Sequence, residues 1–208
     1  VFKNAKVRRA LTMAINREEL INKVLEGSEK LTKTFVPTGI GLNGLAKDFA
    51  QEVPTDQPKF NVEEAKKLLA EGLKEQGLAQ LPNLKILLND TGSRKSIAEY
   101  IQENLRNNLG VNVELEVVSG KERIERTKKR DYQISLQNWT GDFLDPITYL
   151  DIFASTNGNN RGDFKNARYD ELTKIVKSSA DPKVRVPAMV EMEKLISEEQ
   201  PVTILFQK

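Results

Sequence analysis

The chain has 208 residues, with 32 Lys and Arg against 30 Asp and Glu, so its formal net charge is only +2. A balance this close to neutral does not indicate nucleic acid or an anionic membrane surface as a partner. Because the sequence has neither His nor Cys, it excludes within itself the Ser-His-Asp and Cys-His nucleophiles, the usual zinc and haem ligands and thiol redox chemistry, and we expect no cofactor and no metal site.

The N-terminal residues predict two consecutive helices. Asn4 is placed to cap the first helix, and Asn16 to cap the second, with Glu19 at the third helical position completing a capping-box pattern. The first helical pattern is already under way close to Val1, so we expect the chain to be a segment excised from a longer protein. The residues of these two helices that we expect to face the protein core are Val7, Leu11, Ala14, Ile15, Leu20, Val24 and Leu25.

A loop-rich stretch follows Gly27 and contains one motif that could mislead. Residues 39–44 match G-x-G-x-x-G, the fingerprint of dinucleotide-binding folds. However, Pro37 interrupts any strand before the motif, and Pro54 and Pro58 follow where a long helix is required. The context indicates a glycine-containing loop.

The middle of the chain predicts a β-α-β unit preceded by a helix over residues 62–74. A strand over 84–88, a helix over 96–109 that ends at Gly110, and a strand over 111–118 follow one another directly. This order is typical of an α/β sheet. In the second strand, apolar and polar residues alternate, which predicts one buried face made of Val111, Val113, Leu115 and Val117.

The rest of the chain predicts a basic helix, two short strands and two further helices. The Lys/Arg-rich run over 121–130 has helical spacing and includes Glu122 and Glu125, so it predicts a solvated helix face better than a phosphate-binding patch. A strand is expected over 132–136, helices over 169–178 and 183–199, and a last apolar strand over 202–206.

The stretch over residues 138–146 contains the only tryptophan. Asp145 and Pro146 predict a helix start, as an N-cap followed by proline at the first helical position. Trp139 and Asp142 have no such local role. Together a flat indole with one N–H donor and a fixed negative charge can hold a cationic or amine-bearing ligand. The competing interpretation is a packed tryptophan followed by a polar turn.

Carboxylate pairs offer an enzymatic alternative. Asp142 with Asp145 or Asp151 could perform glycoside hydrolysis with Trp139 as a sugar platform, provided the two carboxylates lie roughly 5 to 10 Å apart. Sequence spacing alone does not establish that separation.

Several stretches carry a resemblance when taken together and in order. They are N-A-K-V-R-R-A-L at 4–11, A-I-N-R-E-E-L at 14–20, F-V-P at 35–37, N-V-E-E-A-K-K-L-L at 61–69, W-T-G-D-F-L-D-P at 139–146 and N-A-R-Y-D at 166–170. They span nearly the whole chain. With these stretches in this order, the chain resembles the extracytoplasmic peptide-binding proteins of ABC importers, which are the oligopeptide and dipeptide group of solute-binding proteins.

The resemblance implies a fold and a domain organisation. It implies an α/β lobe of the periplasmic-binding-protein type, class II, with a mixed sheet flanked by helices. Residues 1–208 would form the C-terminal lobe of a two-lobed protein whose N-terminal lobe is absent. The intact protein is expected outside the cytoplasm, in the periplasm or on the outer face of the membrane, with a lipid anchor.

The resemblance also implies a site and partners. Asp142 would pair with the α-ammonium of a short peptide and Trp139 would line the adjoining pocket, with Asn138, Thr140 and Gly141 lining the same site. The protein would be a monomeric, non-enzymatic receptor that delivers peptide to a membrane permease. The alternatives are a receptor of the same family for a nickel chelate, haem or an oligosaccharide, a peptide-pheromone sensor and, more distantly, the glycoside hydrolase.

Overall fold

A computed structural model describes residues 1–42, 48–54 and 56–208. The helices are α1 Ala5–Met13, α2 Arg17–Glu19 with a π-helical turn Leu20–Val24, α3 Phe49–Glu52, α4 Val62–Glu75, α5 Arg94–Leu109, α6 Gly120–Lys129, α7 Ile147–Leu150 with a 3-10 turn Asp151–Phe153, α8 Ala167–Ser178 and α9 Pro182–Glu199. The strands are β1 Leu84–Asn89, β2 Val113–Val118 and β3 Ile134–Ser135.

The chain divides into two compact units. The first comprises Val1–Leu31, Pro58–Asn138 and Leu205–Lys208, and the second comprises Thr32–Gln57 and Trp139–Ile204. Each unit has its own cluster of buried apolar side chains.

The first unit is built on a parallel sheet with the strand order β2-β1-β3. β1 lies in the middle and pairs in register with β2 from Leu84 opposite Val113 to Asn89 opposite Val118. A central parallel strand is covered on both faces, which explains why Leu84, Ile86, Leu87 and Leu88 are all buried. The predicted β-α-β unit is confirmed, with α5 ending at Gly110 in the left-handed conformation, φ 66°.

Helices α1 and α4 pack closely against each other in this unit. A Cβ added to Gly72 of α4 would lie 2.8 Å from Val7 Cγ2 and 2.9 Å from Asn4 Oδ1 of the facing segment. Glycine therefore allows the approach, at a position where its lack of a side chain would otherwise weaken the helix. The Asn4 side chain accepts hydrogen bonds from the backbone N–H groups of Lys6 and Val7, as an N-cap does.

The second unit is organised around Tyr169 of α8. The Tyr169 ring is fully buried, its hydroxyl donates to the Leu150 carbonyl at 2.6 Å, and the Phe153 and Phe164 rings meet it edge-on. Burial raises the pKa of this phenol well above its ordinary value. Asn166 caps α8 by accepting from the Tyr169 N–H at 3.0 Å, so two residues of the N-A-R-Y-D stretch have structural roles in this unit.

A buried carboxylate ties α9 to the segment before the glycine loop. Glu193 is 1% exposed, and its two oxygens accept from the backbone N–H groups of Phe35 at 2.9 Å and Val36 at 2.8 Å. Burial raises the pKa of this carboxyl to about 7, against the opposing effect of the two N–H donors.

Several predictions require correction. The Asn16 side chain accepts from Glu19 N–H, but the Glu19 carboxylate accepts from Tyr100 and Lys23 and not from Asn16, so the capping box is half formed. Residues 202–206 form no strand, and an isolated antiparallel bridge joins Lys30 and Gln207 instead.

The sheet also differs in detail from the prediction. The expected strand over 132–136 shortens to Ile134–Ser135, and Val117, expected on the buried face of β2, is 47% exposed. Both flanking strands run parallel to β1, whereas a mixed sheet was expected. Residues 43 and 44 of the glycine loop predicted over 39–44 lie outside the described residues.

Candidate functional site

The single tryptophan is held by its own ring nitrogen. Trp139 Nε1–H donates to the main-chain carbonyl of Thr148 in α7 at 2.9 Å, and the half-buried ring packs against the apolar cluster of the second unit. The N–H donor expected to serve a ligand is therefore used within the chain. What Trp139 retains for a ligand is the exposed part of its flat ring.

The residues after Trp139 form a turn that is fastened to the same threonine. The backbone N–H of Asp142 donates to Thr148 Oγ1 at 3.0 Å. Gly141 lies so close to α7 that an added Cβ would be 2.8 Å from both Thr148 Cγ2 and Tyr149 Cε2. Thr148 is buried and was missed by the sequence analysis, since nothing in an apolar helical pattern marks one threonine as the anchor of a turn that lies six to nine residues earlier.

The Asp142 carboxylate is the group of this turn that is available to a ligand. Its residue is exposed, and among the described ranges of the chain no donor or cation lies within hydrogen-bond or ion-pair distance of its side chain. Because the Trp139 side chain and the Asp142 backbone N–H are both bonded to Thr148, the position of Asp142 next to α7 is fixed.

Asp145, the next carboxylate, has a structural partner. Its two oxygens form a bidentate ion pair with Arg185 of α9 at 2.8 and 2.9 Å, and one of them also accepts from the Ile147 N–H at 3.0 Å. The predicted capping role of Asp145 is thus present at the start of α7. Arg185 was missed because it lies far along the sequence.

Asp151 is also occupied. It accepts from Asn157 Nδ2 at 2.6 Å and pairs with Lys177 Nζ at 2.5 Å. Both partners proposed for Asp142 in a hydrolytic carboxylate pair are therefore engaged by cations of the chain itself. Neither carboxylate is therefore free to serve as the second member of a hydrolytic pair.

Thr140 and Asn138 are the remaining predicted site residues. Thr140 is exposed and its side chain has no hydrogen bond within the described part of the chain. Asn138 belongs to the first unit, where its Oδ1 accepts from Arg94 Nη2. Two exposed apolar side chains that the sequence analysis did not single out follow Asp142: Phe143 is 56% exposed and Leu144 is 84% exposed.

Among the described residues, no group of three or more acidic side chains is arranged to hold a metal ion. None of the described helices has the length and apolar character needed to cross a membrane.

Comparison with known proteins supplies the family. The profile described as "Bacterial extracellular solute-binding proteins, family 5 Middle" matches residues 1–161, which is most of the chain. The chain belongs to this family. The membership predicted from the sequence motifs is confirmed.

Family 5 relatives show the same relationship in sequence and structure. The dipeptide-binding protein DppE of Bacillus subtilis is 35% identical over 201 residues, covering 97% of this chain and 37% of that protein. A solved structure of a peptide-binding protein of a peptide ABC transporter superimposes with a TM-score of 0.93 at 32% identity, covering 100% of this chain and 92% of that one.

A peptide-bound relative extends the match. Listeria monocytogenes OppA bound to peptide has a TM-score of 0.90 at 30% identity and covers 100% of this chain and 40% of that chain. This family 5 chain thus spans well under half the length of DppE and of the Listeria protein. Its periplasmic-binding-protein-like α/β fold is confirmed by both structural matches.

Proposed function

We propose that this chain is the C-terminal lobe of an extracytoplasmic receptor that captures short peptides for an ABC importer. A second lobe, outside the 208 residues, would close over the ligand, and the loaded receptor would deliver the peptide to the membrane permease. Membership of family 5 supports this role, as do a relative named a dipeptide-binding protein and a structural match solved with bound peptide.

The free carboxylate of Asp142 is the observation that carries the proposal. Asp145 and Asp151 are paired with Arg185 and Lys177, whereas Asp142 is exposed on a turn whose backbone is anchored. A carboxylate held in this way is suited to an α-ammonium group, because a charged hydrogen bond gains strength once a closing lobe excludes water.

The neighbouring groups fit an amine-bearing ligand. The exposed part of the Trp139 ring would form one wall beside the ammonium group, where an aromatic face attracts a cation. Thr140 is exposed and has a hydroxyl with no hydrogen bond in the described part of the chain, and Gly141 lets the turn lie close against α7. Hydrogen bonds to the peptide main chain would add affinity that does not depend on the peptide's sequence.

Release follows from the same geometry. The binding free energy is realised only when both lobes contact the ligand, so hinge opening at the permease frees the peptide. No bond in the peptide changes, which makes the protein a receptor and not an enzyme.

The test is isothermal titration of the intact protein with one short peptide in its free and N-acetylated forms. Asp142→Asn removes the charge at nearly constant shape, and Glu99→Gln removes an exposed charge of α5 as the control. A lost charge-assisted hydrogen bond should weaken binding of the free peptide by roughly tenfold or more. Acetylation should weaken binding to a similar degree.

The two changes should not add. If both remove the same pair, acetylation will matter little in the Asp142→Asn variant, which is the signature of direct coupling in a double-mutant cycle. Equal binding of the free and acetylated peptides by the unmodified protein would show that Asp142 is not the anchor. No binding of any peptide would redirect the search to oligosaccharides, metal chelates and haem. Mass spectrometry of the recovered ligand should find it intact.

A further inference from the structure

Asn157 and Gly158 form an asparagine–glycine pair in the loop between α7 and α8, away from the proposed ligand site in the sequence. Asn157 is partly buried, Gly158 is exposed, and a Cβ added to Gly158 would meet nothing within 4 Å. In such a pair the backbone nitrogen after the asparagine reaches the side-chain amide easily, because glycine carries no side chain to obstruct the approach. The reactivity of the pair then depends on how the turn places the two groups.

The turn brings the Asn157 side chain and the Gly158 nitrogen into one hydrogen-bonded ring. Asn157 Oδ1 accepts from the backbone N–H of Asn159 at 2.8 Å. The ring closed by this bond contains both Asn157 Cγ and the Gly158 nitrogen, as in other turns that an asparagine side chain forms with the backbone two residues on. The same bond draws electron density away from Cγ, which makes that carbon more electrophilic.

The Gly158 nitrogen is available to react. Within the described residues, its N–H donates to no acceptor. The nitrogens that follow the next two asparagines are engaged, because the Asn160 N–H donates to the Asn157 carbonyl at 3.0 Å and the Arg161 N–H donates to the Asn159 carbonyl at 2.8 Å. Attack by the Gly158 nitrogen therefore breaks no backbone hydrogen bond, whereas attack at either of the other asparagines breaks one.

Asn160 shows the opposite arrangement within the same loop. It is 4% exposed, its Nδ2 donates to the carbonyls of Phe153, Ala154 and Phe164, and its Oδ1 accepts from the Phe164 N–H at 3.0 Å. A reaction at this amide would break several buried hydrogen bonds. Asn160 is therefore the internal reference for Asn157.

The amide nitrogen of Asn157 is itself part of the fold. Asn157 Nδ2 donates to Asp151 Oδ1 at 2.6 Å, and Asp151 Oδ2 pairs with Lys177 Nζ at 2.5 Å. This nitrogen thus links the turn to the residue that follows α7. Asn157, Gly158 and Lys177 also line an open depression of the surface, which gives water access to the amide.

We infer that Asn157 is a site of spontaneous deamidation through a cyclic imide. The Gly158 nitrogen gives its proton to a solvent base and bonds to Asn157 Cγ, while the bond from Cγ to Nδ2 breaks and Nδ2 takes a proton from water to leave as ammonia. Water then adds to either carbonyl of the imide and opens the ring. The net reaction consumes one water, releases one ammonia and leaves aspartate or isoaspartate at position 157.

The product would change the contact with Asp151. Where aspartate forms, the Asp151 oxygen that now accepts from Nδ2 would oppose another acceptor, and two like charges would share Lys177. The bond from the Asn159 N–H can persist, because a carboxylate oxygen accepts as an amide oxygen does. Deamidation therefore detaches the turn from Asp151 and replaces a hydrogen bond with a repulsion.

The principal test is peptide mapping by mass spectrometry after the intact protein has been incubated at mildly acidic and at alkaline pH. Deamidation should accumulate at Asn157 at about ten times the rate at Asn160 or more, and faster at alkaline pH. Isoaspartate should appear beside aspartate, because an imide opens at either carbonyl. Gly158→Ala should slow the reaction about tenfold or more, since its methyl group obstructs the nitrogen and yet meets nothing within 4 Å in the fold.

Comparison with the unfolded chain isolates the effect of the turn. The rate at Asn157 in the folded protein should stay within about tenfold of the rate in urea. An Asn157 that stays intact in the folded protein and reacts only in urea would overturn the inference, because its two side-chain hydrogen bonds would then protect it. A cross-linked peptide joining Asn157 to Lys177 would also overturn it, since the lysine amine would then be the nucleophile. The other asparagine–glycine pair, at 43–44, lies outside the described residues and in a separate tryptic peptide.

The consequence for the fold has its own test. Asn157→Asp carries the charge of the product and should lower the urea midpoint of the intact protein. Asp151→Asn in the same chain should restore part of the loss, because it removes the repulsion. An unchanged midpoint in the Asn157→Asp variant would contradict the proposed role of the Asp151 contact. None of these measurements needs a ligand, so their outcome is independent of the function proposed for Asp142.

Discussion

Thr148 bonds both ends of the turn that presents Asp142: its carbonyl accepts from Trp139 Nε1–H at 2.9 Å and its hydroxyl accepts from the Asp142 N–H at 3.0 Å. A single buried residue of α7 thus positions both residues proposed to meet the ligand. The positions of the tryptophan and the aspartate both depend on this third residue. The turn needs the Thr148 side chain as well as the Thr148 backbone.

Replacing Thr148 with Val should loosen the Asp142 end of this turn alone. Valine has nearly the same shape but no acceptor, so the partly buried Asp142 N–H loses its partner at a cost of about 1 kcal/mol in the free energy of unfolding. Hydrogen exchange of the Asp142 amide should accelerate. The Ile147 amide, which donates to Asp145, is the internal reference and should keep its protection.

Thr148→Ser is the matched control for this prediction. Serine retains the hydroxyl and should keep the Asp142 amide protected, although it loses a buried methyl group. Equal exchange of this amide in the Val and Ser variants would show that the hydroxyl does not hold the turn.

Gly141→Ala should destabilise the second unit by steric conflict. The new methyl group would start 2.8 Å from both Thr148 Cγ2 and Tyr149 Cε2, which are buried and leave little room to move. Overpacking of this kind costs about 1–3 kcal/mol. Gly158→Ala is the control, because an added Cβ there meets nothing within 4 Å and the glycine does not have a positive φ. Urea unfolding of both variants checks the prediction, and similar midpoints would refute it.

The Asp145–Arg185 ion pair should contribute substantially to stability. The two side chains are only 20% and 14% exposed, and removal of the acid leaves a bidentate arginine without its partner. Asp145→Ala should therefore lower the free energy of unfolding by about 3 kcal/mol. Glu198→Gln breaks an ion pair with Lys194 whose members are both more than half exposed, and should cost well under about 1 kcal/mol.

Salt distinguishes the two pairs further. Added salt should weaken the small effect at Glu198 and leave most of the effect at Asp145, because solvent ions screen exposed charges more than partly buried ones. An Asp145 effect as small as that of Glu198 would mean that solvent already screens the Arg185 pair.

Much of the fold could be predicted because its signals are local. The caps Asn4, Asn61 and Asn166 each accept from the backbone of the helix that follows, and the alternation of strand, helix and strand defines the parallel pair β1 and β2. Several motifs that carried the family resemblance prove to be such caps and core residues. The predicted strand over 202–206 failed because an apolar run does not reveal whether a neighbouring strand is available to pair with it.

The site could be predicted only in part, because its geometry is set by distant partners. Sequence singled out Trp139 and Asp142, but whether a carboxylate is free depends on cations such as Arg185 and Lys177, which no local pattern assigns to their acids. The convergence of Arg94 and Arg123 on Asn89 is likewise invisible until the sheet brings two helix starts together. The basic run over 121–130 was correctly predicted as a largely solvated helix face, although Arg123 and Arg126 within it are half-buried.

Glu193 predicts an unusual pH dependence of stability. Its carboxyl has a pKa of about 7 in the folded chain against an ordinary value of 4.5, because burial disfavours its charge. The folded state therefore binds more protons than the unfolded state between these two values. It follows that this group makes the protein more stable as the pH falls from 8 toward 5, and that the gain is lost as the pH rises through about 7.

Glu193→Gln should remove this component of the pH dependence. The difference between a pKa of about 7 and the ordinary value of 4.5 corresponds to about 3 kcal/mol in the free energy of unfolding. The chain has no His that would titrate in the same pH interval. Glutamine is neutral at every pH, so the variant lacks this titration. The urea midpoint of the unmodified protein should thus rise relative to that of the variant as the pH falls from 8 toward 5. Parallel curves would show that Glu193 stays ionised, because the two N–H donors outweigh the effect of burial.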